Sequence, residues 1–286
     1  MVGSTRLYAL HPRRWRENLY VYPVISRRAR GLSIGVNLSL AKECTFDCVY
    51  CSVDRTLPAA GGSVDLGLLE SELDPLLELS QTGRIFEERP FEETPSPLRR
   101  LNDVAFSGDG EPTDSPHFLD AMRTAARLLD QRGRPARLVV ITNASLLHLP
   151  RVQEALRLLD GGRGEVWAKL DAGTDAHFRR IDRSRVPFER ILENLLATGR
   201  MRPLVIQSMF VRLLGAGPAD AEIAAWVGRL RQLAADGCRI DRVQVYTCAR
   251  RTAVADVRAL EPEALEAIAE QARALGLSVE AFPSPA

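Results

Sequence analysis

Three cysteines stand close together in the first quarter of the chain. Residues 41–51 read AKECTFDCVYC, so that Cys44, Cys48 and Cys51 follow a C-x3-C-x2-C spacing. Three thiolates on one loop can bind three irons of an iron–sulfur cubane and leave the fourth iron open for a substrate. A structural zinc site usually takes four protein ligands, and none of the four histidines is near this loop in sequence. The spacing therefore favours a [4Fe–4S] cluster with one open iron.

Two other interpretations of these cysteines are open from the residues alone. They could form a chance cluster of buried thiols, or Cys48 and Cys51 could form a thioredoxin-like redox pair. The chain has 286 residues and five cysteines, an odd number, so a disulfide framework is not expected. No run of about 18 apolar residues is present, and residues 1–16 contain arginines without an apolar segment. We therefore expect a cytoplasmic protein without a membrane span or secretory signal, in which clustered cysteines bind metal.

The C-x3-C-x-aromatic-C pattern, with Tyr50 in the aromatic position, resembles the signature of the radical S-adenosylmethionine (SAM) superfamily. The resemblance implies two cofactors, SAM and a [4Fe–4S] cluster, with Cys44, Cys48 and Cys51 as the iron ligands. It implies that the open iron chelates SAM, and that an electron from the cluster cleaves SAM to methionine and a 5′-deoxyadenosyl radical. It also implies that Tyr50 packs near the adenine and that flavodoxin or ferredoxin serves as an external electron donor.

The segments around this loop predict six strand–helix units in series. Such a series forms a parallel sheet with helices outside, either an open doubly wound sheet or an incomplete barrel. The family resemblance implies the second form, a partial (β/α)6 TIM-like barrel, in which ligands bind at the carboxyl ends of the strands. The expected division is an N-terminal extension over 1–31, a core over 32–250, and a closing helix and strand over 251–286. Predicted strands are 32–38, 103–107, 137–142, 165–170, 204–210, 242–247 and 277–282; predicted helices are 66–81, 116–131, 150–159, 188–198, 219–235 and 262–275; residues 83–100 are expected to form an exposed loop.

Polar motifs follow the second and third predicted strands. Residues 107–113 read SGDGEPT and resemble the family's GGE motif, which binds the SAM amino group, with Asp109 in the central position. The resemblance places Gly108, Asp109, Gly110 and Glu111 at the SAM amino acid moiety, whereas the residues alone also fit a glycine turn before a helix. Asn143, after the third strand, could contact SAM or cap a helix.

The fourth and fifth strands carry further polar candidates. Lys169 and Asp171 alternate with apolar residues, so they share one face of the fourth strand. Two buried charges are costly unless they pair or bind something, so this pair could be structural or could work on substrate. Only two of the 38 basic residues are lysines, Lys42 and Lys169, and an arginine cannot replace a lysine nucleophile. Gln207, on the fifth strand, could face the barrel and bind ligand.

The motifs at 107–113, 142–143 and 169–172 together resemble one branch of the superfamily, the wyosine-synthesis (tRNA imidazoG37 synthetase-like) enzymes. That branch carries a second cluster on upstream cysteines, and no cysteine precedes Cys44 here, so its reaction is not carried over. An RNA base, a peptide side chain and a small metabolite all stay open as substrates, with transfer RNA one candidate partner; a net charge of +1 gives no general attraction to nucleic acid. The competing hypothesis is a non-catalytic zinc or iron–sulfur module.

Overall fold

The main sheet of the protein has eight strands in the order β1–β2–β3–β4–β5–β6–β8–β10. This topology comes from a computed structural model that describes residue 8, residues 15–56, residue 59 and residues 61–285. Every neighbouring pair in the sheet is parallel except β1 and β2, which are antiparallel. The strands are β1 Val21–Ser26, β2 Gly31–Val36, β3 Leu101–Phe106, β4 Arg137–Thr142, β5 Gly164–Lys169, β6 Leu204–Met209, β8 Ile240–Tyr246 and β10 Val279–Phe282; β7 Val211–Leu213 and β9 Val257–Ala259 pair separately.

Helices connect successive parallel strands and pack against the outer face of the sheet. Their apolar sides and the outward-facing strand residues form one large core. Burying such faces is the main force that holds the strand–helix units together. None of the helices in the described residues is long and apolar enough to cross a membrane. The helices are α1 Leu66–Gln81, α2 Phe118–Gln131, α3 Pro150–Leu156, α4 Asp175–Ile181, α5 Phe188–Met201, α6 Asp220–Ala235 and α7 Pro262–Arg273.

The sheet curls into a half-barrel, as the sequence predicts. Its two edges approach each other through the β1–β2 turn, where Arg30 pairs with Glu280 of β10 at 2.6 Å. Arg27 of the same turn donates to the backbone carbonyls of Thr247 and Pro283. The turn therefore lies across the gap that an incomplete barrel leaves open.

Two regions differ from the sequence prediction. Val21–Ser26, within the expected N-terminal extension, is an edge strand paired with β2, and Pro23 is tolerated there because an edge strand has one unpaired side. Residues 1–7 and 9–14 of that extension lie outside the described residues, and the three-part domain division stays a prediction. The expected exposed loop at 83–100 folds into short 3-10 turns that bury Phe86 and Phe91.

The inner face of the half-barrel changes character along its length. Its middle layer is apolar and is built from Ala105, Val139, Trp167 and Val205 on four neighbouring strands. Toward the amino ends of the strands, charged side chains of opposite sign alternate and form ion pairs. The carboxyl ends carry the motifs that the sequence singles out.

Candidate functional site

The cysteine loop follows β2 at the carboxyl edge of the sheet. Cys44, Cys48 and Cys51 are all free thiols and half-buried. The loop is held in place by backbone hydrogen bonds to the end of α4, from Asp47 N–H to the Asp182 carbonyl (3.1 Å) and from Val49 N–H to the Ile181 carbonyl (2.8 Å). The fold therefore fixes a loop with three thiols where a barrel of this kind binds its ligands.

Polar groups from three directions contact the three sulfurs. The Asn143 amide donates to Cys44 Sγ (3.7 Å), and an Arg55 guanidinium N–H donates to Cys51 Sγ (3.6 Å). Cys48 Sγ lies 3.6 Å from a carboxylate oxygen of Asp182. Hydrogen bonds to cysteine sulfur are one way in which proteins tune iron–sulfur clusters.

Burial raises the pKa of the Cys44 thiol, and it raises the pKa of the Cys48 thiol further. Both thiols are therefore protonated at neutral pH in the metal-free protein, and metal binding would release those protons. Among the described residues, no group of three or more His, Cys, Asp or Glu side chains converges on a point suited to one ion. A cubane makes a different demand, because each thiolate binds a different iron atom. Three thiols on one loop fit that donor set.

The glycines of the loop after β3 are required by close packing against the cysteine loop. A Cβ atom on Gly110 would lie 1.9 Å from the backbone oxygen of Glu43, and one on Gly108 would lie 2.4 Å from the Asn37 side chain. Gly108 also has φ of +157°, inside the region that favours glycine. Asn37 in turn bonds both the side chain and the backbone N–H of Asp109. The motif at 107–113 is therefore fitted to the loop that carries the cysteines.

Glu111 joins the ends of β3 and β4. Its carboxylate is buried and accepts hydrogen bonds from Thr113, from the Thr142 hydroxyl (2.7 Å) and from the Asn143 backbone N–H (2.7 Å). Burial raises the pKa of Glu111, and the hydrogen bonds oppose that rise. With both carboxylate oxygens engaged in this way, Glu111 positions the two loops.

Asn143 carries this connection on to the cysteines. Its side-chain amide donates to the Thr45 hydroxyl at 2.8 Å as well as to Cys44, and its carbonyl oxygen accepts from Ser145. The Ser145 hydroxyl also lies 2.8 Å from that of Thr45. The ends of β3 and β4 and the cysteine loop thus form one hydrogen-bonded unit.

A charged cluster lies on the other side of the cysteine loop. Lys169 Nζ lies 3.0 Å from Asp171 and contacts the Tyr50 hydroxyl, which in turn contacts Asp171 and lies 3.0 Å from Asp182. The second oxygen of Asp171 accepts the backbone N–H of Met209 at 2.7 Å. Lys169 ends β5 and Asp171 lies two residues past it, on the same side as their alternation predicts, and Tyr50 connects them to the cysteine loop.

The pKa of Lys169 indicates that this residue positions its neighbours and does not act as a nucleophile. Burial lowers the pKa of Lys169, but Asp171 and the neighbouring Tyr246, Cys48 and Asp182 together outweigh burial and raise that pKa well above its ordinary value. Lys169 therefore stays an ammonium ion without a free lone pair. Burial and the neighbouring Asp171 raise the pKa of Asp182 well above its ordinary value, and the Tyr50 hydroxyl lies within hydrogen-bonding distance of both carboxyl groups.

Asp182 is a member of the site that the sequence analysis missed. It caps α4, a helix of seven residues that was not predicted, and no motif marks it. The available signal was the Thr174–Asp175 start of that helix, because the Thr174 side chain accepts the backbone N–H of His177 as an N-cap does.

Gln207 lies one strand further from the cysteine loop. It is fully buried, stands beside Lys169 in the β5–β6 register, and donates to the Gln244 side chain at 2.7 Å. In the described residues the remaining carbonyl oxygen of Gln207 and the remaining amide of Gln244 have no hydrogen-bond partner. Buried polar groups are normally satisfied, so these two atoms mark a place where a polar ligand group could bind.

The two cysteines outside the loop, Cys238 and Cys248, lie in different parts of the fold. Cys238 is buried and packs on Gly199 of α5, where a Cβ atom would lie 2.1 Å from its sulfur. Gly199 lies inside α5, and this contact leaves no room for a side chain at that position. Cys248 is half-buried just past the end of β8.

The match to a family model decides the affiliation of the chain. The model of the radical SAM superfamily matches residues 38–211, more than half of the chain, including the cysteine loop and the ends of β3 to β6. The protein belongs to the radical SAM superfamily. Members of this superfamily are enzymes that use a [4Fe–4S] cluster and SAM, and they generally depend on an external electron donor. The membership of the superfamily that was predicted from the C-x3-C-x2-C loop is thereby confirmed.

Curated relatives cover part of the chain. A UPF0026 protein of Helicobacter pylori is 28% identical over 186 residues, which is 64% of this chain and 53% of that protein. A UPF0026 protein of Methanocaldococcus jannaschii is 28% identical over 179 residues, or 61% of this chain and 48% of that protein. The chain thus spans about half the length of these relatives.

Solved structures of low sequence identity share the fold. A radical SAM methyltransferase from Sphaerobacter thermophilus superposes with a TM-score of 0.61 at 14% identity, covering 92% of this chain and 68% of that one. TYW1 with a bound lysine–pyruvate adduct gives a TM-score of 0.55 at 14% identity, covering 89% and 84%. These likenesses support the half-barrel architecture.

Proposed function

We propose that this protein is a radical SAM enzyme that cleaves SAM reductively and uses the resulting radical to modify a substrate. The observation that carries the proposal is the hydrogen-bonded unit in which Asn143 joins the Cys44 sulfur to Glu111 and so to the loop after β3. When bound, the cluster supplies the electron that splits SAM into methionine and a 5′-deoxyadenosyl radical. The protein must hold its cofactors, orient them and exclude water.

In this proposal each predicted residue has a task. Cys44, Cys48 and Cys51 hold the cluster. Gly108, Asp109 and Gly110 form the wall that receives the SAM amino acid moiety, which Glu111 and Asn143 keep in register with the cysteines. The Gln207 carbonyl, which lacks a partner in the described chain, is a hydrogen-bond acceptor for ligand. The hydrogen bonds that Glu111 and Asn143 make to one another's loops and to Cys44 support these assignments.

Lys169, Asp171 and Tyr50 act as positioning residues in the same proposal. The Tyr50 hydroxyl is engaged by the Lys169–Asp171 pair and by Asp182. Because Tyr50 stands between Cys48 and Cys51, this cluster keeps two iron ligands in place. We propose that it also sets the edge of the adenine site that the family resemblance assigns to Tyr50.

The partners of the enzyme stay predictions. Flavodoxin or ferredoxin is the expected electron donor, and a cytoplasmic location is expected from the composition and the cysteine usage. A transfer RNA base, a peptide and a small metabolite are the three substrate classes. The likeness to TYW1, at 14% identity, bears on the fold alone.

Anaerobic reconstitution tests the proposal. Wild-type protein should bind about four irons, change its spectrum when SAM is added, and form 5′-deoxyadenosine under reduction. Cys44→Ala should lose iron and SAM cleavage together, because three thiolates are the only protein ligands proposed for the cluster. The matched control is Cys238→Ala, which removes a buried thiol more remote from the loop and should keep its iron.

Two results would contradict the proposal. One is a colourless wild-type protein that binds a single zinc ion, as expected for a structural metal module. The other is iron uptake that survives in Cys44→Ala as fully as in Cys238→Ala.

A further inference from the structure

A cavity inside the half-barrel opens beside the cysteine loop. Its rim includes Ser52, which directly follows Cys51, and Ser107, at the end of β3. Its walls include Tyr22 and Tyr246, and three arginines line it, namely Arg27, Arg28 and Arg250. We call this space the lumen cavity. Its location next to the proposed cluster makes it the place where a substrate could meet the radical.

The arginines of the lumen cavity come from opposite sides of the sheet. Arg27 and Arg28 belong to the turn after β1, whereas Arg250 follows β8. The Arg28 guanidinium stacks over the Tyr246 ring at 4.6 Å and lies 5.8 Å from the Trp167 ring. Arg27 is held by the backbone carbonyls of Thr247 and Pro283. Aromatic stacking orients a guanidinium while leaving its N–H donors available.

These three arginines differ from most others that the structure describes. Within the described residues, none of the three forms an ion pair, and Arg28 and Arg250 make no hydrogen bond. The carboxyl groups that face them are Asp103, held by Ser33, near Arg28, and Asp109, held by Asn37, near Arg250. Three positive charges thus meet two carboxyl groups that already have hydrogen-bond partners.

The pKa shifts of these arginines agree with an excess of positive charge in the lumen cavity. Burial and the neighbouring Arg28 lower the pKa of Arg27 to about 10, and the same two causes lower that of Arg250. When an anion binds between half-buried guanidinium groups, it relieves the repulsion between their positive charges. Bidentate guanidinium contacts are the usual means by which proteins bind carboxylate and phosphate groups.

We propose that the lumen cavity is the substrate site and that it binds an anionic oxygen group of the substrate, a carboxylate or a phosphate, through Arg28 and Arg250. The proposal rests on the proposed function, because it takes the cavity beside the cysteine loop as the place of reaction. Arg27 holds the turn that presents Arg28. The aromatic walls would then contact the part of the substrate next to the anion.

Equilibrium dialysis of the reconstituted protein tests the site. Inorganic phosphate and malonate serve as probes in separate arms, with SAM present throughout so that its own carboxylate is already bound. Replacing a charged hydrogen-bond donor usually costs about 10- to 100-fold in affinity. We expect that loss for one probe or both in Arg28→Gln and in Arg250→Gln. Arg89→Gln is the matched control, because it makes the same charge change on a side chain that is 89% exposed.

A second measurement uses the wild-type protein and so does not depend on how the variants fold. Phenylglyoxal labels arginines, and peptide mass spectrometry reports each one separately. Phosphate or malonate should slow the labelling of Arg28 and Arg250 and leave that of Arg89 unchanged. Protection by phosphate alone assigns a phosphate-bearing substrate, and protection by malonate alone assigns a carboxylate.

Other outcomes would overturn the proposal. Equal retention of both probes by wild type, Arg28→Gln and Arg250→Gln, with no protection from labelling, would mean that anions bind elsewhere or not at all. Neither measurement uses a reductant or depends on turnover, and the SAM-induced spectral change is recorded separately. Failure of the anion site is therefore distinguishable from failure of the radical SAM activity.

Discussion

Charged side chains gather at both ends of the half-barrel, but they are arranged differently. At the amino ends of the strands, Glu165 lies between Arg137 and Arg242, at 2.6 Å from the latter, and Arg242 also lies 3.7 Å from Glu280. At the carboxyl ends, Lys169 pairs with the buried Asp171 beside a second buried carboxyl group, Asp182, and the three arginines that line the lumen cavity form no ion pair within the described residues.

This difference distinguishes charges that stabilise the fold from charges that bind a cofactor or a substrate. At the amino end, acids and bases alternate, so each charge is neutralised by its neighbours and nothing further is needed. At the carboxyl end, the numbers of acids and bases do not match locally. Acidic groups are in excess around Lys169, and basic groups are in excess in the lumen cavity. Unbalanced buried charge is costly, so it persists where a cofactor or a substrate completes it.

The largest expected effect is at the carboxyl end. Lys169→Met would leave Asp171 and Asp182 facing each other beside Cys48 without a cation. Removing one partner of a buried ion pair typically costs about 3–5 kcal/mol. We expect a loss of that order in the free energy of unfolding, measured by urea denaturation of wild type and variant in the same metal state.

Arg89→Met is the control for this experiment. It also removes a cation, but its ion pair with Glu92 is at the surface, where such pairs contribute about 0–1 kcal/mol. A loss below about 1 kcal/mol in Lys169→Met would contradict the view that this ammonium group neutralises both carboxyl groups.

The pH dependence of stability gives the next effect, at Asp103 of β3. Burial raises the pKa of Asp103 from 3.8 to about 6. The folded protein therefore keeps a proton that the unfolded chain loses, and stability falls as the pH rises from about 4 to about 6. At about 1.4 kcal/mol per pKa unit, the fall approaches about 3 kcal/mol.

Asp103→Asn removes this titration. The stability of the variant relative to wild type should therefore increase over the same pH range and stay constant above it. Urea denaturation at a series of pH values measures the difference, with the exposed Asp256→Asn as the control. A difference that is independent of pH would show that Asp103 titrates alike in the folded and unfolded chain.

Short-period patterns were sufficient for the parts of the site that lie on strands. Lys169 and Asp171 are two residues apart, so alternation alone placed them on one face, and their 3.0 Å contact confirms it. The order of strand and helix segments likewise predicted a parallel sheet with helices outside, because each buried strand is a distinct apolar run; the half-barrel form was implied by the family resemblance. Both predictions use patterns that lie within a single strand or helix.

Contacts between distant segments were not predictable in this way. Asp182 reaches Cys48 across 134 residues, and its helix has only seven residues, about two turns over which to show a period. Arg28 lines the lumen cavity because it follows β1, which pairs with β2, whereas the sequence predicts an N-terminal extension over this stretch. The glycines of residues 107–113 were recognised as sites of close approach, but their neighbour is the backbone of Glu43 and the Asn37 side chain.

The smallest effect concerns the balanced amino end. Glu165→Gln would remove the charge that Arg137 and Arg242 share, but Arg242 keeps Asp241 (2.6 Å) and Glu280 as partners. Partly exposed ion pairs are screened by solvent and salt, so we expect a loss of about 1 kcal/mol that shrinks further in high salt. Urea denaturation at two ionic strengths measures it, with Glu263→Gln as an exposed control. Because the remaining partners redistribute around Arg242, this variant should keep its iron and its anion binding, whereas a coupled loss of either would mean that the two ends of the half-barrel are not independent.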